Sequence, residues 1–588
     1  MCIRDRGATA RVKGTKTRTV DTVHEPAVRR KGASIRERFH ELRLELDGRY
    51  AVAFRAFDDG VAYRFETSLP KPAVVVKAEE ARFPFVDSKQ VYYPQEESFF
   101  SHNERHYAPV TLQSIAPAAI ATLPAVVETT GGLKVAIAES DVEDYPGLWL
   151  RGNSDQSLSA TFPPYPLETK LERDRDLKVT KGADFIAKTK GTRTYPWRIL
   201  AVARKDAELI TNELVWLMAS PSRVADTSWI KPGKVAWDWY NASNLKGVPF
   251  KAGINTETYE YFIDFASKHG IEYVVLDEGW YVLGDLSKVV PEIDMEALAA
   301  HAKQKNVGLI MWVVWNTFDD QFQRTLDQFV KWGVKGIKID FMQRDDQVVM
   351  EYYHRVSREA AARKMLVDFH GAQRPALLTR TWPNLISTEG VKGLENVKWS
   401  EDVHPDHDLT LPFTRMLLGP MDYTPGAMSN AAKGSFAKIF LTPMSMGTRC
   451  HQLALYTAFE SPLQMLADAP TAYEREPESL EFLSAVPSVW DETRVLHARI
   501  GDFLAIARRR GGDWYVGALT DWTPRELAID LSFLPAGAFA LDAYADGPNA
   551  DRQGSDYVRS QRDVDASTKI TVKLAPGGGW AARITPKR

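Results

Sequence analysis

Gly336-Ile337-Lys338-Ile339-Asp340-Phe341 is the stretch that decides the fold. It is short and apolar, and it closes on a carboxylate. Strand alternation places Lys338 and Asp340 side by side on one face. Other segments of the same half of the chain repeat the pattern, as apolar strands with acids at their C-terminal ends. A (β/α)8 barrel builds its active site in this way, because its chemistry sits at the carboxyl ends of the strands.

Working outward, apolar strands alternate with amphipathic helices from Lys234 onward. Val235–Tyr240 precedes a helix over Thr256–His269, with Thr256 as N-cap and Gly270 as the stop. Tyr273–Leu276 precedes a helix over Met295–Lys305, and Gly308–Trp312 a helix over Gln321–Trp332. Gly336–Phe341 precedes a helix over Val348–Arg363. Met365–Phe369 and Leu385–Thr388 follow, then Pro420–Tyr423 and Pro462–Leu466. Eight strands over about 250 residues fit the barrel. A doubly wound sheet is the alternative, and no glycine-rich phosphate loop supports it.

The flanks read differently. Up to about Arg223 the texture is β, with Tyr50–Phe57 and Val61–Phe65 joined at Asp59-Gly60, a hairpin signal. After about Thr493 the helices stop, and short strands are separated by Gly-Pro and Gly-Gly-Gly turns. The expected architecture is therefore a large N-terminal β-sandwich (residues 1–225), a catalytic (β/α)8 barrel (226–490) and a small antiparallel C-terminal β domain (491–588).

A chain of 588 residues exceeds one core, in keeping with three domains. Its net charge of −3 makes neither nucleic acid nor an anionic membrane an expected partner. Its cysteines are Cys2 and Cys450, which argues against a disulfide framework or a thiolate metal site. No apolar run has the length of a membrane span. The 16 tryptophans are a rich supply for stacking on flat apolar faces such as sugar rings. Met1-Cys2-Ile3-Arg4-Asp5-Arg6-Gly7 has no apolar core and is not a secretory signal. It resembles translated adapter sequence, so we read the native start, with any signal peptide, as missing.

Asp238, Asp277, Asn316, Asp340, His370 and Glu389 fall at or just past expected strand ends. Any one acid there could cap a helix or pair with a lysine, but unpaired buried carboxylates are costly and so many together ask for a function. Glu389 and Glu395 share a loop whose two glycines, Gly390 and Gly393, let both carboxylates face one point. Several oxygen ligands suit a hard cation such as Ca²⁺, although no EF-hand pattern is present. His404, His407, His451 and Asp422 are read as a solvated active-site loop in preference to a metal site, for want of a third ligand at a diagnostic spacing.

Four runs carry a family resemblance: Lys338 to Gln347, Glu389 to Asn396, Leu411-Pro412-Phe413-Thr414-Arg415 and Gly419 to Gly426. Together with the domain order they resemble glycoside hydrolase family 97. The resemblance implies a calcium-dependent, exo-acting α-glycosidase, bacterial and periplasmic or secreted, acting on small oligosaccharides or glycosides. Retaining members place an aspartate nucleophile at the end of the fourth strand, here Asp340. Inverting members carry a glutamate base after the fifth, where this chain reads Asp368-Phe369-His370-Gly371. The expectation is thus a retaining α-galactosidase, with Asp340 as nucleophile and Glu395 as acid/base. An inverting α-glucosidase and a non-catalytic sugar-binding protein are the alternatives.

By similarity to the related α-galactosidase clan, Asp277 and Trp280 in Leu276-Asp277-Glu278-Gly279-Trp280 would hold the sugar hydroxyls at C4 and C6, and Lys338 O3 or O4. Asp238 and His370 join them as substrate-binding candidates. The resemblance implies calcium ligands Glu389, Glu395 and, from the β domain, Glu139, with Asn103 as a further candidate.

Overall fold

The computed structural model describes residues 10–587, so the adapter-like Met1–Gly7 lies outside the described residues. The N-terminal domain packs two antiparallel sheets, one of ten strands and one of five. In the large sheet, Ala125, Val127 and Ile137 face the small sheet, where Leu148, Leu150 and Leu158 meet them. Val126, Ala136, Ala138, Trp197 and Ile199 point the other way, into the core shared with the barrel. Both faces of these central strands are covered, and their sequence is accordingly apolar at successive positions. The Tyr50–Phe57 hairpin closes one step earlier than Asp59-Gly60 suggests. Phe57 pairs with Gly60, so Asp58 and Asp59 make the turn.

Two short helices, Asp206–Thr211 and Leu214–Met218, lead to the barrel. Its strands are Gly233–Ala236, Tyr273–Leu276, Gly308–Val314, Gly336–Asp340, Leu366–Phe369 and Leu385–Thr388, with Leu463–Leu466 last. All pair in parallel, and the last returns beside the first, Gly233 opposite Leu463. The expected strand at Pro420–Tyr423 does not form a ladder. The segment nonetheless bridges the gap by single hydrogen bonds: Asp422 N donates to Thr388 O (3.0 Å), and Ala467 N to Pro425 O (3.1 Å). Pro420 and Pro425 have no N–H to offer, which removes two rungs from any ladder here.

The helices Thr256–His269 and Met295–Lys305 have the expected bounds. The N-cap of the first is Asn255, whose side chain accepts from Thr258 N, while Thr256 is already helical. Gly270 at φ 66° closes it in the left-handed conformation that favours glycine. The C-terminal domain is a six-stranded antiparallel sheet with a two-stranded sheet, Arg525–Asp530 and Lys569–Leu574, and its own apolar cluster. Among the described residues no helix is long and apolar enough to cross a membrane.

Candidate active site

The barrel strands set the site by register. Trp312 lies opposite Lys338, and Lys338 opposite Asp368, so three inward positions form one row. One residue pair further along, at the carboxyl end, stands Asp340. Its Oδ2 accepts from Trp312 Nε1 (3.0 Å) and its Oδ1 from Phe341 N (2.5 Å). Phe341 has φ 63°, an unusual conformation for a bulky residue that turns the chain sharply out of the strand.

Lys338 and Asp277 form a buried pair, Nζ to Oδ2 at 2.6 Å. The same oxygen accepts from Trp237 Nε1 (2.6 Å), and Asp277 Oδ1 accepts from Glu278 N (2.8 Å). Asp238 accepts from Tyr259 OH at 2.6 Å and from Asp277 N at 3.3 Å. Burial, and then the charge of Asp277, push the Asp238 carboxyl up to about 7. Burial opposes the charge on Lys338, but Asp277, Asp422, Asp340 and Glu395 outweigh it and raise the ammonium above its usual range. Asp238, Asp277, Lys338 and Asp340, all expected at the site, thus converge.

Three carboxylates meet at one side of this cluster. Glu104, Glu389 and Glu395 each offer an oxygen, all within 4.8 Å of one another. Glu389 Oε2 accepts from Gly371 N (2.7 Å), and Glu104 Oε2 from Asn396 Nδ2 (3.0 Å). Burial, then repulsion from Glu389, push Glu104 up to about 7; burial, Glu389 and Glu104 push Glu395 well above the carboxylate range. Burial would raise Glu389 too, but the charge of His370, its hydrogen bond and the Gly371 N–H hold it at about 2. Three acids so placed, two of them held toward the neutral form by burial and then by their neighbours' charge, have the donor chemistry of a hard-cation site.

Glu104 comes from the N-terminal domain, and sequence reasoning missed it. Glu139, assigned to this place, is not in the group. It is fully buried between Arg198 (2.6 Å) and Arg374 (3.1 Å) and accepts from Leu148 N, so its charge is already neutralised. Asn103 adjoins Glu104 with φ 61°; its Nδ2 donates to Ser101 O, and its buried Oδ1 has no protein partner.

Trp280 is also corrected. It is wholly buried, donates to Trp312 O (2.7 Å) and packs on Tyr281, Phe329 and Trp332, beneath the site and out of reach of a sugar. Both His370 nitrogens face carboxylates: Nε2 meets Asp422 at 2.7 Å, and Nδ1 meets Glu389 at 3.4 Å. It therefore positions Glu389 and has no nitrogen left for substrate. Asn316 is buried in the helix Trp315–Asp320 just past the third strand. The expected solvated loop is mostly interior: His407 bonds Lys392 O, His451 bonds Asp408, and Asp422 bonds His370. Only His404 keeps substantial exposure.

The shape of the Glu389 loop is set by Arg415, fully buried and bonded to the carbonyls of Thr388, Glu389, Gly390, Gly419 and Pro420. Gly390 has φ 44°, and a Cβ there would collide with the Gln373 backbone. A hairpin of the N-terminal domain, Pro166–Glu172 and Asp176–Gly182, walls another side. Its Arg175 pairs with Glu278 at 2.7 Å and lies 4.5 Å over the Phe341 ring.

This is the geometry of a barrel glycosidase, with carboxylates converging at the strand ends. Comparison with known proteins agrees. Models described as Glycosyl-hydrolase 97 N-terminal, Glycoside hydrolase 97, and Glycosyl-hydrolase 97 C-terminal, oligomerisation, match residues 3–221, 237–391 and 489–585. A retaining alpha-galactosidase of Bacteroides thetaiotaomicron is 42% identical, over 98% of this chain and 89% of its own. A probable retaining alpha-galactosidase of Streptomyces bingchenggensis is 31% identical, over 97% and 83%. A Glycoside Hydrolase Family 97 enzyme from Pseudoalteromonas sp. strain K8, solved with panose, has a TM-score of 0.86 at 25% identity, over 98% of this chain and 92% of that one. The chain belongs to glycoside hydrolase family 97. It is a glycoside hydrolase, and the reading as a sugar-binding protein without catalysis falls away.

Proposed function

We propose that the enzyme is an exo-acting retaining α-galactosidase. The observation that carries this reading is Asp340 at the end of the fourth strand, with Asp368-Phe369-His370-Gly371, a run without a glutamate, where an inverting member would carry its base. Gly371 has φ 62° and a Cβ there would crowd His102, so a longer side chain has no ready place. The identity to a retaining alpha-galactosidase supports the same choice.

In the proposed mechanism an oxygen of Asp340 attacks the anomeric carbon while Glu395 donates its proton to the glycosidic oxygen. The leaving group departs as an alcohol, and a glycosyl ester of Asp340 remains. Glu395, now ionised, takes a proton from water, whose oxygen attacks the same carbon and releases Asp340. The two inversions give net retention. Trp312 Nε1 and Phe341 N orient the Asp340 oxygens, and a strand-end aspartate is short and rigid. Burial, the largest cause of the raised Glu395 carboxyl, favours the protonated form that the first step needs. Asp277, Lys338 and Asp238 would bond the sugar hydroxyls, and charged partners make such bonds strong.

Calcium is part of the proposal. Glu104, Glu389 and Glu395 would hold it, and the charge it supplies when bound would offset their mutual repulsion and fix Glu395 in place. Activity in the periplasm or outside the cell is proposed on family resemblance alone. The test is hydrolysis of aryl α-galactoside against aryl α-glucoside, with the first-formed anomer followed by NMR. Faster α-galactoside cleavage with α-galactose appearing first is expected; a β-anomer first would point to an inverting enzyme.

A further inference from the structure

Among the described residues, Trp399 is the one tryptophan with a largely exposed side chain, at 47%. Beside it stands Phe440, at 52%, on an exposed loop that also carries Ile439 and Leu441. The two rings lie 6.5 Å apart and tilted by 32°, both against half-buried Trp239: Trp399 at 6.0 Å and 85°, Phe440 at 5.9 Å and 71°.

Their place is informative. Trp239 follows Asp238 at the first strand's carboxyl end, and Trp399 lies four residues past Glu395 in sequence. Lys398 ties the two segments together. Its Nζ donates to the carbonyls of Trp239 (2.9 Å) and Tyr240 (2.7 Å) and sits 4.3 Å from the ring centres of both Trp239 and Phe440. Lys438 holds the Phe440 loop to Glu401 at 3.2 Å. Trp239 in turn stacks on Trp237, which donates to Asp277. The aromatic group is thus continuous with the sugar-binding acids at one end and with the Glu395 segment at the other.

We infer that Trp239, Trp399 and Phe440 form the platform that receives the leaving group, and that it takes a flat ring, either the apolar face of a second sugar or an aryl group. A group whose bridging oxygen is protonated by Glu395 leaves past the residues that follow Glu395, and aromatic faces bind sugar and aryl rings alike. The inference rests on the acid/base role proposed for Glu395, but not on which sugar the barrel holds.

The test compares glycosides that carry a ring as leaving group with the glycosyl fluoride of the same sugar, which carries none. The sugar is whichever one the wild-type enzyme cleaves fastest. The ratio of kcat/KM for the 4-nitrophenyl glycoside to that for the fluoride is expected to fall about tenfold in Trp399→Ala and in Phe440→Ala. The ratio for a disaccharide should fall alongside it. Trp399→Phe should restore most of the loss, which Trp399→Leu should not. Equal losses on ring-bearing and fluoride substrates, an unchanged ratio in both alanine variants, or full rescue by leucine would overturn the platform. If the preferred sugar proves not to be galactose, the proposed substrate fails while this ratio still decides the platform.

Discussion

Lys338 Nζ and Asp277 Oδ2 form a 2.6 Å ion pair that is nearly sealed from solvent, on the second and fourth strands of the barrel. Removing one partner leaves an uncompensated buried charge, which costs about 3–5 kcal/mol. Asp277→Asn should therefore lower the unfolding free energy by roughly 3 kcal/mol in a urea titration. If Asp277 also reads the sugar, the variant should lose α-galactosidase activity more heavily than any residual α-glucosidase activity. An unchanged preference would leave Asp277 a purely structural role.

Asp340→Ala should abolish turnover, and azide should restore it with inverted product, because the small anion fits where the carboxylate stood. Rate measurements with and without azide, together with the anomer of the glycosyl azide, check this. Full activity of the variant would remove Asp340 from the mechanism.

For Glu395→Gln the expected signature is selectivity. Substrates with good leaving groups need little protonation and should lose least in the first step. Plotting log kcat/KM against leaving-group pKa should give a steeper slope than wild type. Parallel lines would count against the acid/base role.

The calcium proposal separates two glutamates of the N-terminal domain, Glu104 and Glu139. Chelation should lower both activity and melting temperature, since a ligand bound only by the folded state stabilises it, by about 2.7 kcal/mol at a hundredfold excess over Kd. Glu104→Gln should raise the calcium needed for half activity. Glu139→Gln should lower the melting temperature, by leaving Arg198 and Arg374 short of a counter-charge, without shifting that calcium requirement. The reverse pattern would restore Glu139 as the ligand.

Arg415→Met should destabilise the enzyme by about 3 kcal/mol, as several buried carbonyls lose their donor. Activity should fall further than stability, because Glu389 and Gly390 are among the residues released. Differential scanning calorimetry beside steady-state kinetics would show the two losses.

How much of this was legible in the chain depended on distance. Tyr273–Leu276, Gly336–Asp340 and Leu385–Thr388 are short runs rich in apolar and β-branched residues that end at a polar residue or turn, and such local signals fix both fold and strand-end acids. Asp277, Lys338, Asp340 and Glu389 were found in this way. Glu104 was not, because Ser101-His102-Asn103-Glu104 is a loop without period, and only the docking of two domains gives it a partner. Glu139 misled for the converse reason: the arginines that neutralise it lie on other strands and in another domain, where no local pattern shows them. Trp280 misled because a motif near the site does not say which face of the strand end a ring occupies. The seventh position of the barrel was legible as apolar and extended, but Pro420 and Pro425, which have no N–H to offer, leave it held without a ladder.

The N-terminal hairpin and the Glu104 loop have a consequence for how the gene could be cut. The covalent seam between sandwich and barrel runs near residue 225, yet the functional seam passes through the catalytic mouth itself. A barrel expressed alone would keep Asp340 and Glu395 but lose Glu104 and the Arg175 wall in the same stroke. The sandwich is therefore no detachable appendage, and a barrel moved onto a foreign partner would need both elements carried with it. In this enzyme the unit that inheritance can shuffle is larger than the unit that folds as a barrel.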